Sequence, residues 1–171
     1  AATAEVVRYF NATPLLVDCR LDDMNLDVAH AASQIEAALA RGEDVAAIIP
    51  VHYGGQIGDV DGYTALARQH GLKIIEDAAH CCPAYFRSQE SGVRSQWIPV
   101  GKSADISCFS FYANKCITTG EGGMACTENA EWADRMGIMR LHGISRDAWK
   151  RFTGEGSWYY EIIAPGYKYN L

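Results

Sequence analysis

Short apolar, β-branched runs alternate with helical patterns along this chain, and that alternation constrains the fold more than any other feature. Pro14 to Cys19, Val45 to Val51, Leu72 to Glu76, Ala104 to Phe111 and Met124 to Thr127 read as buried strands. Between them Val28, Ala32, Ile35 and Leu39 share one helical face, with Asp27 as N-cap and Gly42 as stop. Tyr63, Leu66, Ala67 and His70 repeat the spacing between Asp59 and Gly71, and Trp132, Met136 and Met139 repeat it from Asn129 to Arg140. Ala1 to Phe10 reads as the tail of a further helix. Strands separated by helices imply an α/β fold of three layers, with a mostly parallel sheet covered on both faces. Pro83 to Ser103 is too long for a plain connection, and predicts a hairpin of Ala84 to Ser88 with Gln96 to Val100. After Gly154 a strand-like run, Trp158 to Ile163, has no helix behind it.

Composition excludes several function classes. The chain has 171 residues, 49% hydrophobic, enough for one domain with a real core. The net charge of −6, without a Lys/Arg stripe, argues against nucleic acid as a partner. No apolar run approaches the length of a membrane span. The six cysteines form no C-x-x-C pair, and His80-Cys81-Cys82 lacks the usual zinc spacing. Free thiols in a reducing compartment are the expectation.

In open α/β sheets, ligands lie beyond the carboxyl ends of the strands. "KIIEDAAH" puts Asp77 at one such end, with His80 three residues on. "ISCFSFYANK" puts Ser110 near the next, with Lys115 five residues on. A carboxylate, an imidazole, a hydroxyl and an amine therefore converge on one crevice. Pyridoxal phosphate requires such a set. Its aldehyde needs an amine, its ring nitrogen an ionised carboxylate, and its phosphate hydroxyl and N–H donors. Bland readings stand beside these. Lys115 is read against a solvated loop lysine, Asp77 against a cap on the Ala78-Ala79 turn, His80 against a structural histidine, and Ser110 against a hydroxyl bonding nearby backbone. His52 and His142 read first as structural. Gly120, Gly122 and Gly123 read as a turn beside Lys115. Trp149, Trp158 and Tyr159 read as packing residues.

The motifs "IEDAAH", "FSFYANK", "TTGEGGM", "LHGISRDAWKRF" and "PGYKYNL" occur in order. With "ATAEVV" and "PVHYGGQIGDVDGY", they make the chain resemble the DegT/StrS-type sugar aminotransferases along its whole length. The resemblance implies the central part of the large, cofactor-binding domain of a type I pyridoxal-phosphate enzyme. Residues 1–171 would lack the N-terminal phosphate loop and the C-terminal small domain, and so be inactive alone. It implies amination of a nucleotide-linked keto-deoxysugar, with glutamate as donor, in a cytoplasmic homodimer with shared active sites.

By the same resemblance, Lys115 forms the Schiff base with pyridoxal 5′-phosphate and shuttles a proton. Asp77 pairs with the pyridinium nitrogen, His80 lies near the phenolic oxygen, and Ser110 binds phosphate. Lys168 and Asn170 belong to a segment that reaches the neighbouring subunit's site. Two alternatives remain: a pyridoxal-dependent sugar dehydratase, disfavoured because those relatives carry His at the place of Lys115, and a non-catalytic sensor that keeps the fold.

Overall fold

The structure is a computed structural model, and it describes residues 1–88, 97–145 and 160–169. The chain divides into two compact units, residues 1–126 and 127–171.

In the first unit a four-stranded sheet has the order β1-β2-β5-β6: β1 is Ala47–Ile48, β2 Lys73–Asp77, β5 Ile106–Ser110 and β6 Gly123–Cys126. The β1–β2 and β2–β5 pairs are parallel, with Ile75 opposite Ile106 and Asp77 opposite Cys108. β6 runs antiparallel to β5, because residues 111–122 return the chain without a crossover helix. The anticipated hairpin is present as β3 (Tyr85–Arg87) and β4 (Trp97–Pro99). Its outward face carries Tyr85 and Trp97, with the Arg87 guanidinium 4.4 Å from the Trp97 ring centroid.

The helices begin and end where their caps place them. Asp27 accepts from the N–H groups of Ala29 and His30 to open α2 (Val28–Ala40). Asp59 accepts from Gly62 N–H to open α3 (Val60–His70), and Gly71 closes it in the left-handed conformation that glycine adopts without strain. The buried face of α2 is Ala31, Ile35 and Ala38; Leu39, placed on that face by its spacing, is 43% exposed. Tyr63, Leu66 and Ala67 of α3 join Ile48, Ile74, Ala78 and Phe86 in the core. α1 (Ala2–Arg8) has no buried residue.

One expected strand is absent. Pro14 to Cys19 forms no ladder, only an isolated bridge from Cys19 to Leu26, and Leu16 is 74% exposed. An apolar run becomes a strand only where a second strand accepts its hydrogen bonds, and among the described residues none lies beside this one. Likewise only Ala47–Ile48 of the Val45 to Val51 run is ladder, with one further bridge from Val51 to Asp77.

In the second unit Asn129 caps α4 (Ala130–Met139), on which Trp132, Met136 and Met139 are half-buried. Residues 160–169 run back across the end of this helix. His142 N–H donates to Tyr167 O, and Tyr167 N–H to Met139 O. Gly143 is required at this crossing, because a Cβ there would fall 1.8 Å from Ala164 O. Trp149, Trp158 and Tyr159 lie outside the described residues.

Candidate active site

β2 ends in Glu76-Asp77, and strand alternation sends the two carboxylates to opposite faces of the sheet. Glu76 turns into the core and is 1% exposed. It accepts four hydrogen bonds. His52 Nε2 (2.9 Å) and the Tyr63 hydroxyl (2.8 Å) donate to Oε1, while the Ser107 hydroxyl (2.8 Å) and Gly101 N–H (3.1 Å) donate to Oε2. Gly58 N–H donates to His52 Nδ1, so Nε2 carries the proton that Glu76 accepts. Burial pushes the Glu76 carboxyl up, but the bonds from His52, Ser107 and Tyr63 outweigh it and hold the group below its ordinary range. Burial, reinforced by the Glu76 charge, pushes the Tyr63 phenol far above its ordinary value. His52 is thus a structural histidine.

Asp77 is half-buried on the other side. Its backbone is held from both sides, by Asp77 N–H to Pro50 O and by His52 N–H to Asp77 O. Its Oδ1 accepts from Ala79 N–H at 3.2 Å, the local turn bond that the capping reading anticipates. Its Oδ2 accepts from the Thr3 hydroxyl at 2.7 Å. Among the described residues no Lys or Arg pairs with it.

His80 follows Asp77 on the loop after β2, and Lys115 lies on the loop after β5. Lys115 Nζ donates to His80 Nε2 at 2.7 Å. No carboxylate among the described residues takes that amine, so Lys115 is not the usual solvated ion pair of a loop lysine. Ser110, the last residue of β5, accepts from Tyr112 N–H at 3.3 Å, a bond that leaves its hydroxyl proton free to donate elsewhere. Asp77, His80, Ser110 and Lys115 therefore share the carboxyl ends of two neighbouring parallel strands. Lys168 lies in the second unit, where its backbone bridges to Leu141, and Asn170 is outside the described residues.

The donor set fits pyridoxal phosphate on its chemistry: among the described residues, an amine bound to an imidazole and to no carboxylate, a carboxylate without a cationic partner, and a hydroxyl with its proton available. The sequence profile of the DegT/DnrJ/EryC1/StrS aminotransferase family matches residues 1–171. The chain belongs to this family. The spore coat polysaccharide biosynthesis protein SpsC of Bacillus subtilis is 39% identical over 171 residues, all of this chain and 40% of SpsC. A putative sugar aminotransferase of Streptococcus pneumoniae, Spr1654 in its PLP-form, superposes with a TM-score of 0.72 at 26% identity, over 96% of this chain and 41% of that one. DesI, solved in the presence of its TDP-sugar product, superposes with a TM-score of 0.67 at 28% identity, over 97% and 36%. The chain spans about 40% of the length of the curated relatives it matches.

Two sets of residues escape a reading of motifs. Thr3 lies 74 positions from Asp77, and nothing in "ATAEVV" marks a hydroxyl for that contact. The Glu76, His52, Tyr63 and Ser107 network had one visible signal: a glutamate inside an apolar strand is rarely buried unless it is paired. The six cysteines are free, and among the described residues no His/Cys/Asp/Glu group could hold a metal and no helix is long and apolar enough to cross a membrane.

Proposed function

We propose that this chain supplies the central part of the active site of a pyridoxal-phosphate-dependent aminotransferase, acting on a nucleotide-linked keto-deoxysugar with glutamate as amine donor. The observation that carries the reading is the Lys115–His80 contact of 2.7 Å, at the strand ends that also present Asp77 and Ser110. Family membership supports the reaction type. The TDP-sugar product of DesI supports the nucleotide-linked substrate, and the PLP-form of Spr1654 supports the cofactor.

When bound, pyridoxal phosphate supplies an aldehyde that takes up the amino group and a protonated ring that draws electrons from the substrate carbon. The residues divide the remaining tasks. Asp77 keeps a proton on the ring nitrogen, which only an ionised carboxylate does well. Lys115 would hold the cofactor through its amine and would serve as the base that moves the proton of the substrate carbon. His80 accepts from Lys115 Nζ and holds the amine at the strand ends. Ser110 donates its hydroxyl proton to phosphate. Lys168 and Asn170 act toward a neighbouring subunit in a homodimer with shared sites.

The test is borohydride reduction of the holoenzyme followed by peptide mapping. The label is expected on Lys115, and Lys115→Ala should abolish both labelling and amine transfer. A label on Lys73 or Lys102 would refute the assignment. Glutamate alone should change the visible spectrum of the bound cofactor, as a binding protein without catalysis would not.

A further inference from the structure

We infer that Thr3 is a positioning residue for Asp77, fixing the carboxylate that faces the cofactor ring. The inference rests on the proposed role of Asp77 and goes beyond it to a residue on a different element. An aspartate at the last position of a strand has two side-chain torsions to settle, and its turn bond from Ala79 N–H engages only Oδ1. The Thr3 hydroxyl engages Oδ2 at 2.7 Å. Two donors on two oxygens fix the plane of the carboxylate. A helical threonine commonly returns its hydroxyl to a carbonyl of its own helix. Thr3, near the start of α1, instead gives its single proton to a strand end 74 positions away. Because the hydroxyl donates, Oδ2 must accept, and with one donor on each oxygen the carboxylate keeps lone pairs aimed in a fixed direction for a ring N–H. The backbone of Asp77 is already held by Pro50 and His52, so side-chain rotation is the freedom left for Thr3 to remove.

The decisive experiment compares Thr3→Val, Thr3→Ser and Asp77→Asn in the holoenzyme and in the cofactor-free protein. The readouts are the dissociation constant of pyridoxal 5′-phosphate and the thermal midpoint without cofactor. Thr3→Val keeps the shape and loses the donor; the dissociation constant should rise about 10-fold. Its cofactor-free midpoint should stay within about 2 °C of the parent. Thr3→Ser restores the donor and should bind within about twofold of the parent. Parent-like binding by Thr3→Val, with Asp77→Asn weakened, would overturn the inference and leave the role of Asp77 standing. Parent-like binding by Asp77→Asn would overturn that role and the inference with it. A lowered cofactor-free midpoint in Thr3→Val that Thr3→Ser does not restore would make Thr3 a structural residue and also overturn the inference.

Discussion

Glu76 and Asp77 are adjacent carboxylates on one strand, yet they live in opposite environments. Glu76 is sealed, with four donors on two oxygens and 1% exposure. Asp77 is half-open, with one donor on each oxygen and no cationic partner among the described residues. Strand alternation alone produces the division: one residue faces α3 and the core, the next faces the opposite side of the sheet. The contrast separates a fully satisfied carboxylate from an open one. A carboxylate whose lone pairs are all taken by protein donors has nothing left for a ligand. One that is held but incompletely satisfied is prepared to receive a further donor.

The largest test of this contrast is stability. Glu76→Gln puts an NH2 group against two of four donors and leaves them buried without acceptors, at a cost of about 3 kcal/mol. Asp77→Asn keeps an acceptor in a half-open place and should cost under about 1 kcal/mol. Urea denaturation of the two variants measures the difference directly. Equal losses would end the distinction between the two carboxylates.

The next test reverses the order. Asp77→Asn should weaken binding of pyridoxal phosphate by about 10- to 150-fold, the worth of one charge-assisted hydrogen bond of roughly 1.5–3 kcal/mol. Turnover should fall further, because a neutral amide does not hold the proton on the ring nitrogen. A cofactor titration and a steady-state assay check the two effects separately. Unchanged turnover would exclude Asp77 from the proposed role.

Acidity sharpens the comparison on the Glu76 side. Its folded-state carboxyl lies below the ordinary 4.5, so the unfolded chain binds the extra proton first as pH falls. The stabilisation from this group is complete above about 4.5 and is lost as pH drops through the folded value. Denaturation midpoints should therefore fall steeply below about pH 4.5 in the parent and less steeply in Glu76→Gln. An unaltered slope would mean that other carboxyls govern acid unfolding.

What the sequence disclosed follows the range of each interaction. Asp27 reads as a cap, and Asp59, Gly71 and Asn129 as the bounds of their helices, because the partners of a cap lie within a few positions. The placement of Asp77 and Lys115 at neighbouring strand ends is legible because a strand end followed by a polar residue is a local pattern; their roles are those proposed above. The 2.7 Å contact of Lys115 with His80 spans 35 positions, and that of Thr3 with Asp77 spans 74; neither has a local signature. Pro14 to Cys19 shows the same limit in the backbone. Its pattern suits a strand, but strand formation depends on a neighbour that no pattern within the run can report. From its sequence context Glu76 is simply a strand residue, although its charge in an apolar run is the one sign of the network beneath it.

Cys81 gives the smallest effect and the finest gauge, because it feels both carboxylates. It is 1% exposed and packs in the core beside Tyr63 and Ala78. Burial first, then the charges of Glu76 and Asp77, push its thiol up to about 11. The folded value lies above the ordinary 9.0, so the stability it contributes is complete below about pH 9 and is lost as pH rises toward 11. No step of the proposed chemistry uses a thiol. Cys81→Ala should therefore leave cofactor binding and turnover within about twofold of the parent, while lost packing costs about 1 kcal/mol. Cys82, less buried, should tolerate alanine with a smaller loss still. Alkylation of Cys81 followed against pH completes the comparison: with burial retained and the Glu76 charge removed, Glu76→Gln should shift the profile toward lower pH. Asp77→Asn should shift it less, since the Asp77 charge is the smaller of the two influences. A larger shift in Asp77→Asn would place the thiol closer in effect to the open carboxylate than to the sealed one, contrary to the division that the strand imposes.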